Sequence, residues 1–365
     1  MNDIKQPKNY GITPALYSKW RSPRFGKKNP DKVESNVWFW LVRSRLSAYE
    51  ANEKMNGPSP IDDGASWCFD RMGQSVTELP DGRKIYIGGE HEDHYDPDFY
   101  IYNDVVVENT DGSIDIYSYP KDDFPPTDFH STTFTDNKII IIGSLGYSDD
   151  RIVGHTQLYQ LDTTSFEIHN VNATGHSPGW IHDHEASLEL GSKHIIVKKG
   201  KVDLGKDYPL RENIDDWELD INEWQWRPIT SRKWTRWAIT RSDQDMNHLW
   251  DIRQALFNLE ANWIKDYDKK LAELTIELGY SPDVNVIKSL YSPDIPYIAL
   301  PEIEDEYNIF RISINGITIR FVEDMDVIQA TVEGALPDDL IERIKKDTLD
   351  KISALENAHC KLVSY

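Results

Sequence analysis

Cysteine is almost absent from this chain, which has only Cys68 and Cys360 among its 365 residues. Two cysteines that fall in different predicted domains support neither a disulfide framework nor a zinc site built from thiolates. Long apolar runs are also missing. The longest have the length of a strand, as at 139–142, and the first 20 residues hold no apolar signal-peptide segment. We therefore expect a cytoplasmic protein that does not enter a membrane.

Positive charge is scarce as well. The chain has 40 Lys and Arg residues against 62 Asp and Glu, which gives a formal net charge of −22. Such a charge repels the phosphates of nucleic acids and attracts cationic surfaces. We expect no nucleic-acid ligand, and a basic protein partner fits the charge. The same acidity would also arise if its only role were to keep the protein soluble.

The usual sequence signals of enzymes are missing too. The chain contains no nucleophile elbow, no His-Glu-x-x-His and no dinucleotide fingerprint. The segment 143–146, Gly-Ser-Leu-Gly, follows a predicted strand but opens no helix, so it does not match a phosphate-binding loop. We expect no catalytic residue and no cofactor.

What the chain does contain is an internal repeat of about 50 residues. Three copies begin at Arg71, Thr127 and Ile181. Each copy has a strand, a tight turn, a β-branched run, a variable insert, and two further strands, the last of which bears an aromatic residue. Four strands per copy is the plan of a propeller blade. The equivalent positions that define the repeat are Gln74, His130 and His184 at the first strand, and Gly88, Gly89, Gly143 and Gly200 after the second.

Residues 65–230 resemble the kelch repeats of β-propeller proteins. The resemblance depends on the Gln/His-Ser pair, the β-branched run followed by Gly-Gly, the Tyr-Asn-Asp-Val at 102–105 and the late Trp224. It implies propeller blades in which His130 and His184 are structural hydrogen-bonding residues. Since propellers typically have about 4 to 8 blades, three copies predict an open or irregular array. Flanking segments should then cover its strand edges.

The sequence therefore predicts a mainly β protein with an added α+β domain. Residues 1–64 would form a basic arm and one docking helix that begins near Glu34 and ends before Gly57. Residues 65–235 would form the kelch-like repeats. Residues 242–365 would form an α+β domain, with one long amphipathic helix from Ser242 to Gly279 and a β-hairpin at Asn315-Gly316.

The densest group of polar residues lies in the loop 88–99 of the first repeat. Loops of this kind commonly carry binding residues. His91 and His94 with Asp96 would suit a divalent metal, and the alternative is a solvated acidic loop. The predicted partner-binding carboxylates are those of this loop and of the matching loop in the second repeat, namely Glu90, Glu92, Asp93, Asp96, Asp98, Asp149 and Asp150.

A set of histidines near the starts of the repeats gives a second candidate. If they converge they would form a pocket for acid–base chemistry. If they do not, they are structural hydrogen-bonding groups. The set comprises His130, His155, His176, His182 and His184.

These observations favour a non-catalytic protein that binds a protein partner through acidic loops. Its most concrete form is an acidic bacterial immunity protein that neutralises a basic toxin by charge complementarity. One alternative is an enzyme or small-ligand binder with its site in the loops, using His91, His94, His130 and Asp96. Another is an adaptor that dimerises through the long helix. The sequence leaves the oligomeric state open.

Overall fold

The computed structural model describes residues 4–58, 64–92, 98–205, 210–260, 267–303 and 306–365. The chain divides into two compact units, Met1–Ser231 and Arg232–Tyr365. The protein is mainly β, with several sheets and a few helices. Within the described ranges, no helix has the length and apolar character needed to cross a membrane.

Unit 1 begins with a short helical segment. A 3-10 turn at Pro7–Tyr10 precedes helices α1 (Pro14–Trp20), α2 (Asn36–Ser44) and α3 (Ala48–Met55), and strand β1 (Asp31–Lys32) lies between α1 and α2. The sequence predicted one helix where α2 and α3 lie. The structure has two because Arg45 takes a left-handed φ of 51°. Ser47 then caps α3 in a reciprocal capping box with Glu50.

Three antiparallel sheets follow along the chain, each with a core of four strands connected in sequence order. Sheet 1 contains β2 (Ser75–Glu78), β3 (Lys84–Ile87), β6 (Val105–Glu108) and β7 (Ile114–Ser118). Sheet 2 contains β8 (Ser131–Thr135), β9 (Lys138–Ile142), β10 (Leu158–Asp162) and β11 (Ile168–Asn170). Sheet 3 contains β13 (Trp180–Leu188), β14 (His194–Asp203), β16 (Trp217–Asp220) and β17 (Gln225–Pro228). The shorter strands are β4 (Glu90–His91), β5 (Tyr100–Ile101), β12 (Thr174–Gly175) and β15 (Arg211–Glu212).

Strand register gives the three sheets equivalent backbone positions. Ser75 pairs with Ile87, Ser131 with Ile142, and Glu185 with Lys198. Gln74, His130 and His184 therefore precede equivalent residues. The residue before each of them has a left-handed φ, at Gly73, Phe129 and Asp183. So does the residue that follows each paired partner in the second strand, at Gly88, Gly143 and Lys199.

The apolar cores of unit 1 form successive layers. The N-terminal helices pack on one face of sheet 1, around residues such as Trp38 and Val106. Sheets 1 and 2 share a core that includes Ile85 and Ile139, and sheets 2 and 3 share another that includes Ile140 and Ile195. These core residues are buried because both contributing faces are apolar.

Sheet 3 differs from the other two sheets. Its second strand corresponds to the β-branched run of the third copy, but it is apolar on one face only. In β14, Ile195 and Val197 are buried, whereas Ile196 is only partly buried and Lys198 is exposed. Glu185, in the neighbouring strand, is also exposed. Only one face of sheet 3 is therefore apolar, and its strands alternate between buried and polar residues.

In each of the three sheets, another segment of the chain hydrogen-bonds to the outer edge strand. β1 pairs with β7 of sheet 1, and β12 pairs in parallel with β17 of sheet 3. In sheet 2, the Asn29 amide donates to Ile168 O at 2.7 Å, and Asn29 Oδ1 accepts the Ile168 N–H at 2.9 Å. These contacts use backbone groups that an open edge would leave free.

The described residues of unit 2 form one sheet and four helices. The strands, in spatial order, are β19 (Ile298–Ala299), β20 (Ile309–Ile314), β21 (Ile317–Glu323), β22 (Ile328–Val332), β18 (Arg236–Arg241) and β23 (Cys360–Ser364). The helices are α4 (Leu249–Glu260), α5 (Tyr267–Leu278), α6 (Val284–Lys288) and α7 (Asp338–Glu356). The predicted hairpin is confirmed, because Ile314 pairs with Ile317 and both Asn315 and Gly316 have positive φ.

The predicted long helix begins later than expected. The segment after Ser242 forms a turn, and α4 begins at Leu249, whose N–H is accepted by Asn247 Oδ1 at 3.2 Å. The link between α4 and α5, with Trp263 of the predicted apolar stripe, lies outside the described residues. Leu249 and Ile252 are buried in the core of unit 2, and Leu256 packs against it. This face of α4 is therefore used inside unit 2.

Candidate functional site

The predicted binding residues that the structure describes fall at one end of the three sheets. Antiparallel pairing places the start of each first strand beside the end of the second and the start of the third. We call this end of the array the loop end and define it by residues 71–74, 88–92, 98–104, 127–130, 143–157 and 181–184.

The predicted carboxylates of the loop end have different environments. Glu90 lies in β4 and is partly buried, whereas Glu92 is exposed. Asp149 and Asp150 are exposed in the turn Ser148–Asp150, and Asp150 Oδ2 lies 2.9 Å from Lys121 Nζ. Asp98 is only 3% exposed, so the fold removes its side chain from the surface on which a partner would dock.

The predicted metal site cannot be assembled from described residues. His91 lies in β4, but Asp93, His94 and Asp96 lie outside the described residues. In the described part of the chain, no group of three or more His, Cys, Asp or Glu side chains could hold a metal ion.

The structure adds Asp128, which the sequence analysis did not select. Its side chain is fully buried, and its Oδ1 accepts the Ser144 hydroxyl at 3.1 Å and the Gly146 N–H at 2.6 Å. Asp128 Oδ2 is buried, and no N–H or alcohol hydroxyl group of the described residues donates to it. Met72 and His182 occupy the same place two residues before Gln74 and His184, so the repeat pattern carried no signal for a carboxylate here.

Glu90 and Asp128 form a pair of interacting carboxyl groups. Burial, and then the charge of Asp128 and a hydrogen bond to it, raise the pKa of Glu90 to about 7, and Glu92 and Asp183 contribute in the same direction. Two carboxylates that share one site cannot both ionise easily. The Glu90 carboxyl group is therefore protonated for part of the time at neutral pH, and its O–H can then donate a hydrogen bond to Asp128.

Aromatic residues join the loops of sheets 1 and 2. The Ile101 N–H donates to Tyr147 Oη at 2.9 Å, and the rings of Phe99 and Tyr147 meet edge to face at 5.9 Å. Burial raises the pKa of Tyr100 to about 12, so its hydroxyl stays neutral. These contacts hold residues 98–101 in place beside the carboxyl pair.

Cations at the loop end are already paired. The Arg71 side chain is buried, lies 2.5 Å from Asp104 Oδ1 and stacks on the Tyr102 ring at 3.4 Å. Arg151 Nη1 lies 3.0 Å from Asp203 Oδ2. By contrast, no lysine or arginine among the described residues forms an ion pair with the loop-end carboxylates Glu90, Glu92, Asp128 and Asp183. This end of unit 1 thus carries uncompensated negative charge.

The histidines do not converge on an open pocket. His130 Nε2 lies 2.7 Å from Ser75 Oγ, and His184 Nε2 lies 2.7 Å from Ser131 Oγ. Burial lowers the pKa of His130 to about 3 and that of His184 to about 4, so both rings are neutral. Of the others, His182 is buried with its Nδ1 3.0 Å from Asp183 Oδ2, while His155 and His176 are exposed.

Comparisons with known proteins give no family. No family model and no curated protein matches the chain. Among solved structures, one titled "Structure of YjhT" is 13% identical, covers 46% of this chain and 53% of its own, and has a TM-score of 0.33. A mutant of B. megaterium levansucrase is 8% identical, covers 44% of this chain and 48% of its own, and has a TM-score of 0.25. The chain spans about half the length of each.

Proposed function

We propose that this chain is a non-catalytic protein that binds a basic protein partner at the loop end of unit 1. The observation that carries the proposal is the group of three carboxylates, Glu90, Glu92 and Asp183, that reach the surface and lack a lysine or arginine partner within the described residues. The neighbouring arginines already form ion pairs with other carboxylates, Arg71 with Asp104 and Arg151 with Asp203. A cationic side chain from a partner would supply the missing countercharge.

The scaffold in this proposal is an open array of kelch-like propeller blades. Its support is the recurrence of the same local geometry. Asp162 and Asp220 each accept two backbone N–H groups in the turn between third and fourth strands, and an aromatic with left-handed φ follows at Phe166 and Trp224. A Cβ on Gly88 would collide with the carbonyl oxygen of Thr127, just before the next sheet, and a Cβ on Gly143 would collide with that of Ile181 in the next sheet.

The most specific form of the proposal is an acidic immunity protein that covers the cationic active site of a toxin. Support for this form comes from the net charge of −22 and from the uncompensated carboxylates. Opposite charge would steer the two proteins together and would speed their association at low salt.

The test compares wild-type protein with a loop-end variant, Glu90→Gln/Glu92→Gln/Asp183→Asn. A control with the same change in charge is Glu53→Gln/Glu189→Gln/Glu223→Gln, which alters exposed residues elsewhere in unit 1. Each immobilised protein is exposed to extract from the source cells, and the bound proteins are identified by mass spectrometry. We expect one basic protein to be retained by wild type and control and lost from the loop-end variant. Absence of such a protein, or equal loss from both variants, contradicts the proposal.

The affinity for that partner should depend on pH. The pKa of Glu90 is raised to about 7 in the free protein, and a bound cation favours the ionised carboxylate. Binding should therefore strengthen between pH 6 and 8 and release a fraction of a proton near pH 7. Calorimetry in buffers of different ionisation enthalpy measures that proton. A Glu90→Gln variant should release less, and an unchanged release would remove Glu90 from the site.

A second candidate function is an enzyme or small-ligand binder with its site in the same loops. The raised pKa of Glu90, to about 7 beside buried Asp128, favours it because a carboxyl group that holds a proton at neutral pH can act as a general acid. Metal analysis of the purified protein separates the metal-dependent form of this candidate. Stoichiometric metal that is lost in His91→Ala would support it and would weaken the binding proposal.

A further inference from the structure

Unit 2 contains a small cavity of mixed lining with an acidic rim, at the edge of its core and separate from the loop end. It has a volume of about 260 Å³ and is lined by the apolar side chains Leu249, Trp250 and Met325 and by the polar residues Asn247, Asn308, Glu323 and Asp324. This volume lies below the ~300–1,000 Å³ typical of pockets for small molecules. It provides room for an anchoring side chain of a larger partner.

Two loops of unit 2 are held together to form the cavity. Asn247 Nδ2 donates to the carbonyl oxygens of Asp324 and Met325, both at 2.7 Å, and the Asn247 N–H donates to Met325 O at 2.8 Å. Three hydrogen bonds from one residue therefore fix the start of α4 against the turn between β21 and β22. The backbone on two sides of the cavity is therefore held in place by the fold.

Large apolar side chains around the cavity are exposed. Trp250 is 52% exposed, Met246 52% and Met325 61%, and Tyr307, beside Asn308, is 81% exposed. Trp and Met are enriched at the centres of protein interfaces. Methionine in addition adapts its shape to a partner. The group is therefore suited to receive an apolar anchor.

The rim of the cavity is strongly acidic. Exposed carboxylates lie on both loops, at Asp243, Asp245, Asp251, Asp324 and Asp326. The two nearby arginines are already engaged, since Arg241 pairs with Asp243 and Glu356, and Arg253 pairs with Glu323 at 2.7 Å. In the described part of unit 2, neither Asp245 nor Asp326 forms an ion pair. The rim thus attracts positive charge.

We propose that this surface binds a cationic amphipathic peptide segment, with one large apolar side chain in the cavity and Lys or Arg over the acidic rim. Charge decides the occupant. A second copy of this chain also carries a net charge of −22 and would bring a matching acidic rim, and anionic lipid or nucleic acid would be repelled. A basic amphipathic segment complements both the exposed apolar side chains at the cavity and the acidic rim. The proposal does not depend on the function assigned to unit 1.

The test is calorimetric titration of the full chain with a synthetic amphipathic helix that has Lys and Arg on one face and Leu and Trp on the other. Two matched peptides serve as probes of specificity: one with Glu in place of Lys and Arg, and one with scrambled order and unchanged composition. We expect micromolar binding of the first peptide alone, weakened by added salt. Equal binding of the scrambled peptide would overturn the proposal, because it would show attraction by charge without a site.

Variants locate the peptide on the protein. Trp250→Ala should weaken binding at least tenfold, whereas Ile276→Ala, which removes an even more exposed apolar side chain on α5, should leave it within twofold. Asp245→Asn/Asp326→Asn should weaken binding severalfold at low salt and reduce its salt dependence, unlike Glu277→Gln/Glu302→Gln. Thermal unfolding confirms that each variant is folded.

Three results would overturn the assignment. The first is binding that Trp250→Ala leaves unchanged in a folded variant. The second is no binding of the cationic peptide at all. The third is a concentration-dependent dimer in sedimentation that Trp250→Ala abolishes, which would make a second copy of the chain the occupant.

Discussion

Two buried histidines connect the first strands of neighbouring sheets. Each ring nitrogen Nε2 lies 2.7 Å from a serine hydroxyl of the preceding sheet, His130 with Ser75 and His184 with Ser131. Their pKa values are lowered to about 3 and about 4, mainly by burial. The fold therefore requires neutral imidazoles at both places, and unfolding exposes them to water, where the unfolded pKa is about 6.5.

The free energy of unfolding of unit 1 should consequently fall in acid. Because the folded pKa values lie below the unfolded one, the stabilisation is fully present above pH 6.5 and is lost as the pH falls towards 4 and 3. Each histidine contributes about 1.4 kcal/mol per pH unit within its window. Urea unfolding between pH 7 and pH 4 measures the slope.

Glutamine is the natural substitution for this test, since Gln74 holds the same place in the first sheet. We expect His130→Gln/His184→Gln to flatten the pH dependence, even if it lowers stability at pH 7. His169→Gln changes an exposed histidine and should keep the wild-type slope. A double variant with an unchanged slope would assign the acid sensitivity to other groups.

At the scale of elements, the outer sheet edges show how flanking segments complete the array. Sheets 1 and 3 gain a short extra strand, but sheet 2 gains one side chain. The Asn29 amide both donates to and accepts from the backbone of Ile168, as a neighbouring strand would. The N-terminal segment therefore does more than support the helices, since it also protects the edge of the second sheet.

Asn29→Ala should destabilise unit 1 by about 1–3 kcal/mol, because it leaves two backbone groups of Ile168 without these partners. Urea unfolding monitored by the transition of unit 1 measures the loss. Asn222→Ala, on an exposed turn, is the control and should stay within about 0.5 kcal/mol of wild type. Similar stability of both variants would show that water replaces the Asn29 amide at no cost.

At the scale of the whole molecule, each unit has its own core. In unit 2 the core draws on the strands of one sheet and on its helices, with Trp237, Leu249, Phe321 and Ile344 among the buried members. Strand β18, which comes first in the sequence of unit 2, lies between β22 and β23 and pairs with both. The boundary at Ser231 therefore leaves every strand of this sheet in unit 2.

Residues 232–365, produced alone, should fold and unfold in one cooperative transition, because no strand of their sheet is removed. Near-UV circular dichroism and urea unfolding measure this. The matched fragment 245–365 lacks the internal strand β18 and should not acquire fixed tertiary structure. A disordered 232–365 fragment would show that unit 2 needs the first unit in order to fold.

Much of the local structure follows from the sequence, because its causes are local. Asn315-Gly316 tolerates the positive φ of a tight turn, and the residues beside it alternate for a half-buried hairpin. Three similar segments predicted three units of four strands. Helix boundaries were less predictable. The apolar periodicity fits one long helix as well as it fits shorter ones. Caps and packing therefore decide the break at Arg45 and the start of α4 at Leu249.

Contacts between residues distant in the chain were decided only by the tertiary structure. Asp98 lies among predicted surface acids but is buried, whereas Asp128 lies in no motif and faces Glu90. Asn29 forms its hydrogen bonds with Ile168, which lies 139 residues farther along the chain. Composition and repeats specify which residue types are present and how strands alternate. Burial, countercharge and pKa depend on what the folded chain places around each group, and a linear pattern does not contain that information.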